Sequence, residues 1–262
     1  MTIAMPDLAA FFDELADAAA SAIMPHFRAG LTVENKLSAG FDPVTAADRE
    51  GESAIRRIIH SRFPGHGILG EEHGDHQLDA DNVWVLDPID GTRAFIAGLP
   101  TWGTLIGLCQ GGSPSHGMMV QPYVGERFYG DGKSAFLATR SGKSSISTRA
   151  CARLEDALMC TTDPYLFTPE ERPVYERIER SARNTRYGTD CYGYAMLAAG
   201  HVDLVIESGL NAYDIVALIP IVEGAGGAVT TWTGGSAKDG GRIVASGDKR
   251  LHEAVLAQLS QV

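Results

Sequence analysis

Leu8, Phe11, Phe12, Leu15, Ala19 and Ile23 recur at the three- and four-residue steps of an amphipathic helix. The pattern predicts a helix over 7–27, bent or ended by Pro25. A second helix is expected to start near Thr45 and to run through Ile55, Ile58 and Ile59 to the Phe63-Pro64-Gly65 break. The period then shortens. Residues 67–70, 83–86 and 103–108 are short apolar runs bounded by turn residues, which predicts strands. From 115 to 139 strand and turn alternate, with Gly130-Asp131-Gly132 as a hairpin connection.

Helical spacing returns further on. Residues 170–182 read as a charged surface helix and 191–199 as a buried helix of small residues. A strand is expected at 202–206 and a helix at 213–223 despite the internal Pro220. A strand at 243–246 and a helix at 253–259 complete the pattern. Helices and strands interleave with much hairpin character, which favours a layered α+β or α/β arrangement over a pure βαβ repeat. No internal repeat, low-complexity tract or long linker divides the 262 residues.

Composition narrows the class. The chain is 44% apolar and 21% charged, the balance of a globular protein with a substantial core rather than a disordered or collagen-like one. No run of about 18 apolar residues is present to span a bilayer. The first 20 residues carry Asp7, Asp13, Glu14 and Asp17 and no basic n-region, so they do not read as a signal peptide. Cys109, Cys151, Cys160 and Cys191 are scattered without CxxC spacing, which suggests a reduced, cytoplasmic protein. A formal charge of −11 with no basic stretch argues against nucleic acid as a partner. His73 and His76 have a His-x-x-His look, but no further Cys or His stands at zinc spacing.

Some of the acidic residues have informative neighbours. In the segment 84–95, WVLDPIDGTRAF, an apolar strand runs into Asp87. Pro88 and Gly91 are expected to force a turn that brings Asp87 and Asp90 to one side. Glu71 and Glu72 follow the preceding strand, and Asp214 opens a helix. Asp48 lies in Thr45-Ala46-Ala47-Asp48, which also reads as a variant capping box. Taken singly, each is an ordinary turn, cap or surface acid. Together they are an oxygen-only donor set, which suits Mg²⁺ or Mn²⁺ rather than Zn²⁺.

The same segments resemble the signatures of the inositol monophosphatase superfamily of Mg²⁺-dependent, lithium-sensitive phosphatases. WVLDPIDGT at 84–92 looks like its first signature, and YDIVALIPIVEGAGG at 213–227 like its second. Tyr213 stands where Trp is usual, and Leu218 where Gly is common. The likeness covers roughly residues 36 to 230. It implies a layered α-β-α-β-α sandwich, an α+β fold assembled as a homodimer. The chain would form one phosphatase unit, with a metal-binding half over about 1–140 and a substrate-binding half over 141–262.

By the same resemblance, Glu71, Asp87 and the carbonyl of Ile89 would hold a first metal. Asp87, Asp90 and Asp214 would hold a second, and Glu71 would face any third. Asp48 and Thr92 would orient and deprotonate the attacking water, with Glu71 completing the catalytic set. Gly91, Thr92, Asp90 and Asp214 would meet the substrate. Two metals roughly 3.5–4 Å apart can activate water on one side and stabilise the departing oxygen on the other. The N–H groups from Gly91 to Arg93 could cradle the phosphate.

The alcohol side is read from Asp190 and Glu207. Relatives place a carboxylate at the position of Glu207 to contact the alcohol, whereas inositol-directed members carry a small residue where Asp190 stands. Asp190 could equally be the N-cap of the helix at 191–199. Two acids beside the site suit a cationic alcohol such as histidinol, and the flanking segments 91–106 and 188–207 resemble the histidinol-phosphate phosphatase branch. Arg186 is a further candidate to reach the substrate or a partner subunit. The expected activity is hydrolysis of L-histidinol phosphate. The alternatives are an inositol-1-phosphate or broad sugar and nucleotide phosphatase and, remotely, a non-catalytic partner of transcription machinery.

Overall fold

A computed structural model describes residues 5–29, 34–35 and 43–260. Residues 1–4 of the predicted non-secretory start, and 36–42 of the stretch carrying the resemblance, lie outside that set. Helix α1 spans Met5–Ile23 and gives way at Pro25 to a 3-10 turn, Met24–His26, as its proline requires. Strands β1 (Glu34–Asn35) and β2 (Pro43–Val44) pair antiparallel. Helix α2 (Ala46–Arg62) begins at Thr45 with the predicted capping box closed by Asp48.

Among the described residues the other strands form two mixed sheets. The larger, in spatial order β3 to β9, uses β3 (Gly67–Gly70), β4 (Asn82–Asp90), β5 (Gly103–Gln110), β6 (Ser113–Gln121), β7 (Glu126–Gly130), β8 (Ala135–Thr139) and β9 (Gly142–Ser145). The smaller runs β11-β10-β12-β14-β13, from β10 (Leu158–Thr161), β11 (Asn184–Tyr187), β12 (Leu204–Leu210), β13 (Ala228–Thr231) and β14 (Gly241–Ser246). Short helix α3 (Thr92–Ile96) follows β4, and α4 (Arg172–Ser181) leads into β11. Helices α5 (Asp190–Ala198), α6 (Ala212–Ile215), α7 (Leu218–Gly224) and α8 (Lys249–Leu259) complete the chain.

Three apolar clusters glue five layers into an α-β-α-β-α stack, the layered α+β architecture expected. Leu8, Phe12 and Leu15 of α1 and Ile55 and Ile59 of α2 pack with Trp84 and Ile106 on one face of the large sheet. Its other face meets α5 and α7 through Leu105, Met119 and Phe128, and the same cluster reaches Val205 and Ala245 of the small sheet. Outside the small sheet, Tyr175 and Ile178 of α4 and Leu251 and Val255 of α8 close over Leu204 and Trp232.

The helix predicted over 213–223 is two helices, with Val216 and Ala217 forming a turn between them. The cause is Pro220. It has no N–H to give to the carbonyl of Val216, and its ring crowds that group. Gly107 of β5 faces Gly117 of β6, which faces Gly130 of β7, so three glycines form one row across three strands. A Cβ at Gly117 would stand 1.9 Å from the carbonyl oxygen of Ala217, and one at Gly130 would stand 2.3 Å from that of Pro220. Gly117→Ala should therefore lower the unfolding free energy by about 2–3 kcal/mol, because rigid backbone on both sides cannot yield. Urea denaturation tests this, and an unchanged midpoint would refute the close approach.

Candidate active site

Strand β4 carries the predicted acids, but not on a turn. Its pairing with β5 continues through Pro88 to Asp90. Asp87 lies opposite Leu105 and Asp90 opposite Gly103, so three steps on β4 match two on β5. Residues three apart on a regular strand point to opposite faces, and the bulge restores them to one. It also accommodates Pro88, which has no N–H for the ladder. The bulge does what the expected turn was to do.

Each acid is then held by a backbone N–H. Asp87 Oδ1 accepts from Ile89 N at 3.0 Å. Asp90 Oδ2 accepts from Cys191 N at 2.6 Å, a bond from the start of α5. Asp214 Oδ2 accepts from Asn211 N at 2.6 Å, across the first turn of α6. One carboxylate oxygen from each of Asp87, Asp90 and Asp214 lies within 4.8 Å of the others. Glu71 follows β3, whose Gly70 pairs with Leu86, and its carboxyl hydrogen-bonds that of Asp87.

Loss of solvent, then the neighbouring carboxylates, push Asp87 and Asp90 well above the usual Asp range. Such a cluster is stable only when protons or cations offset its charge. All-oxygen donors, buried at Asp87 and half-buried at Asp90, Asp214 and Glu71, fit a hard divalent cation of the Mg²⁺ type. The carbonyl of Ile89, the remaining candidate ligand, accepts from Thr92 Oγ1 at 3.1 Å.

Asp48 lies buried in α2, where its Oδ2 accepts from Thr45 N at 2.8 Å and Thr45 Oγ1 at 2.7 Å. Burial outweighs these bonds and raises its pKa, so it is a better proton acceptor than an exposed Asp. Glu52, one turn further along, escaped the sequence reading. It accepts from Glu72 N at 2.7 Å and His73 N at 3.2 Å and pairs with Arg56 at 2.6 Å, fixing the loop that carries Glu71. An acid on the apolar face of an amphipathic helix was the available signal.

The alcohol-side candidates divide. Asp190 is not an N-cap: Thr189 precedes α5, and Asp190 is its first residue, with φ +44°. That left-handed backbone turns its carboxyl onto Gly91, where a Cβ would meet Asp190 Cγ at 2.9 Å. Gly91 itself has φ +85° and starts α3. Asp190 also lines a cavity of about 550 Å³ with Arg93, Leu99, Thr162, Tyr165 and Tyr187. Burial raises its pKa to about 6, with Arg93 acting in the other direction.

Glu207 lies deeper than expected. It is not among the side chains lining that cavity; Thr162 is, and Glu207 sits behind it. Its Oε1 accepts from Thr162 N at 2.7 Å and Thr162 Oγ1 at 3.0 Å, and its Oε2 from Thr161 Oγ1 at 3.3 Å. Burial nevertheless lifts it to about 8, so at neutral pH Asp190 is the anion of the pair. Arg186 stands exposed on the edge strand β11, away from the cavity lining. Arg93, three residues after Asp90, is the arginine in the cavity wall. The thiol of Cys191 is buried and its pKa is pushed far up, which suits packing rather than nucleophilic attack.

The sequence model of the inositol monophosphatase family matches residues 5–262. The chain belongs to the inositol monophosphatase family. Among similar proteins of this family is the bifunctional phosphatase IMPL2 of Arabidopsis thaliana, described as chloroplastic, 43% identical over 96% of this chain and 74% of that protein. A histidinol-phosphatase of Chlorobaculum parvum is 32% identical over 94% of both chains. The solved structure of an inositol monophosphatase from Zymomonas mobilis, 42% identical, superposes with a TM-score of 0.87 over 99% of this chain and 100% of that one.

Asp87→Asn should cut kcat by about 10²–10³ or more while leaving the fold intact, and should abolish the rise in Tm on adding Mg²⁺. Near-normal turnover would remove Asp87 from the ligand set. Glu207 supplies a pH test. Its folded pKa of about 8 lies above the ordinary 4.5, so the folded state binds a proton that the unfolded chain has released. Its contribution is present in full at low pH and is lost as pH rises through about 8. In metal-free protein Tm should fall between about pH 4.5 and 8, less steeply in Glu207→Gln, and the Glu207 contribution should level off above that; parallel profiles would show that Glu207 is ionised throughout.

Proposed function

We propose that this family phosphatase is a Mg²⁺-dependent phosphomonoesterase that hydrolyses L-histidinol phosphate to L-histidinol and phosphate by in-line attack of water. The carrying observation is Asp190, held by left-handed backbone against Gly91 and facing the cavity. An anion beside the phosphate-binding turn can accept hydrogen bonds from any alcohol, but it gains most from a cationic one. Histidinol, with its α-ammonium, is such an alcohol. The family relatives described as histidinol-phosphatases support the same reading.

Glu71, Asp87 and the Ile89 carbonyl would hold one Mg²⁺, and Asp87, Asp90 and Asp214 a second, with room in the donor chemistry for a third ion or for Mn²⁺. Bound there, the ions supply positive charge for the developing oxyanions and lower the pKa of water. The chain's own groups do the rest. Asp48 takes the proton from the attacking water, and the Thr92 hydroxyl helps to orient it. Gly91 presents backbone without a side chain, so the phosphate can approach closely. Asp190 stays ionised at neutral pH and fixes the alcohol through its ammonium, while protonated Glu207 braces Thr161 and Thr162 from behind. The small phosphorylated substrate, a homodimer and a cytoplasmic setting go with this reading. The family resemblance supports the dimer; the four free cysteines, and the lack among the described residues of a helix able to cross a membrane, are compatible with that setting.

The second reading is an inositol-1-phosphate phosphatase, favoured by the 42% identity to the Zymomonas structure. Under the first reading, kcat/KM for L-histidinol phosphate should exceed that for inositol 1-phosphate at least about tenfold, with loss of activity in EDTA and recovery with Mg²⁺. Asp190→Asn should lower kcat/KM for histidinol phosphate by about 10- to 100-fold, the worth of a charge-assisted hydrogen bond. Equal efficiency on the two esters would favour the second reading.

A further inference from the structure

Beyond Asp190, the walls of the cavity are aromatic and aliphatic. Tyr165, Tyr187 and Leu99 line it while remaining 78%, 51% and 55% exposed. The two tyrosines are held from their far sides. The Tyr187 hydroxyl donates to Glu179, which also receives the Tyr175 hydroxyl at 2.9 Å. The Arg172 guanidinium lies 5.6 Å from the centre of the Tyr165 ring, and its Nη2 donates to the Tyr165 carbonyl at 3.4 Å. Glu179 and Arg172 line a second cleft of about 300 Å³, and both tyrosines border it too. The rings thus form a partition whose polar anchors lie on the outer side and leave aromatic surface for the inner cavity.

We infer that Tyr165 and Tyr187 form the subsite for the imidazole ring of the leaving alcohol, and that they set its preference for a ring-bearing amino alcohol over an aliphatic one. The inference rests on the histidinol phosphate reading and deepens it. Two features of the cavity, with the turn that adjoins it through Asp190, match three parts of that ester. The turn at Gly91 lies at the phosphate end, Asp190 meets the ammonium, and the tyrosine partition offers flat apolar surface beyond. A neutral imidazole stacks on such rings, and its protonated form gains a cation–π attraction. A polyol set against Tyr165, Tyr187 and Leu99 would leave hydroxyls without partners.

The test compares L-histidinol phosphate with L-leucinol phosphate, which keeps the ammonium and the phosphate but has no ring. The wild type should prefer the imidazole ester. Tyr187→Leu and Tyr165→Leu should each reduce that preference about five- to tenfold, mainly through KM. Tyr187→Phe, which keeps the ring and loses only the bond to Glu179, should retain it. An unchanged preference in both leucine variants would overturn the aromatic subsite and leave the histidinol phosphate reading standing. A wild type that prefers inositol 1-phosphate would overturn that reading, and the subsite with it.

Discussion

Backbone contact between the α6–α7 segment and the glycine row of the large sheet determines where the rest of the site can be. Asp87 and Asp90 belong to the sheet, whereas Asp214 arrives from a helix, and a metal cluster tolerates little error between them. With Ala217 over Gly117 and Ile221 over Gly130, the segment has no side-chain layer on which to float. Pro220 removes one helical hydrogen bond between α6 and α7, and Asp214 on α6 meets Asp87 and Asp90 of β4. Helix α5 then packs on α7, and the N–H of its second residue, Cys191, reaches Asp90. Remove the close approach, and both Asp214 and the Asp90 tether lose their reference.

Electrostatics pull the other way. Three aspartates and a glutamate crowded in or beside buried space repel one another, and nothing in their own packing repays that. The fold contains the cost by local means. Each aspartate commits one oxygen to a backbone N–H, which orients the group. Because these donors are main chain, they cannot swing away when the charge changes. Glu52 does the same for the Glu71 loop from the opposite side. The cluster is therefore preorganised for a cation and strained without one.

What the sequence revealed and what it hid differ in kind. Features carried by contiguous residues were legible: the amphipathic α1, the capping box at Thr45, and the WVLDPIDGT strand with its acids. Features that depend on pairing were not. The glycine row needs the register of three strands before Gly107, Gly117 and Gly130 become neighbours. The bulge at β4 needs its partner strand, without which Pro88 reads as a turn. Asp190 looked like a helix cap because Asp commonly is one, yet its positive φ shows only in three dimensions. Glu207 is the reverse case: its place along the chain was right, but its depth behind Thr162, and so its protonation, depends on how β12 packs beside β10.

That last difference bears on how one scaffold can serve different esters. On the proposed reading the phosphate end comprises β4, the turn at Gly91 and α6, and the backbone that follows α6 lies directly on the glycine row. The alcohol end is built from the start of α5, the segment after β10 and the end of β11, and its side chains project into a cavity instead of into the core. A change at Tyr187 disturbs no cluster oxygen, whereas a change at Asp87 removes one; Asp190 is less separate, because its charge acts on Asp90 and the N–H of the next residue, Cys191, holds Asp90 Oδ2. Substrate choice can therefore drift while hydrolysis is retained. Asp190 is the informative exception to easy drift: its carboxyl lies so close to Gly91 that only a glycine there accommodates it. The Asp190 carboxylate is thus coupled, through a single missing Cβ, to the turn at Gly91.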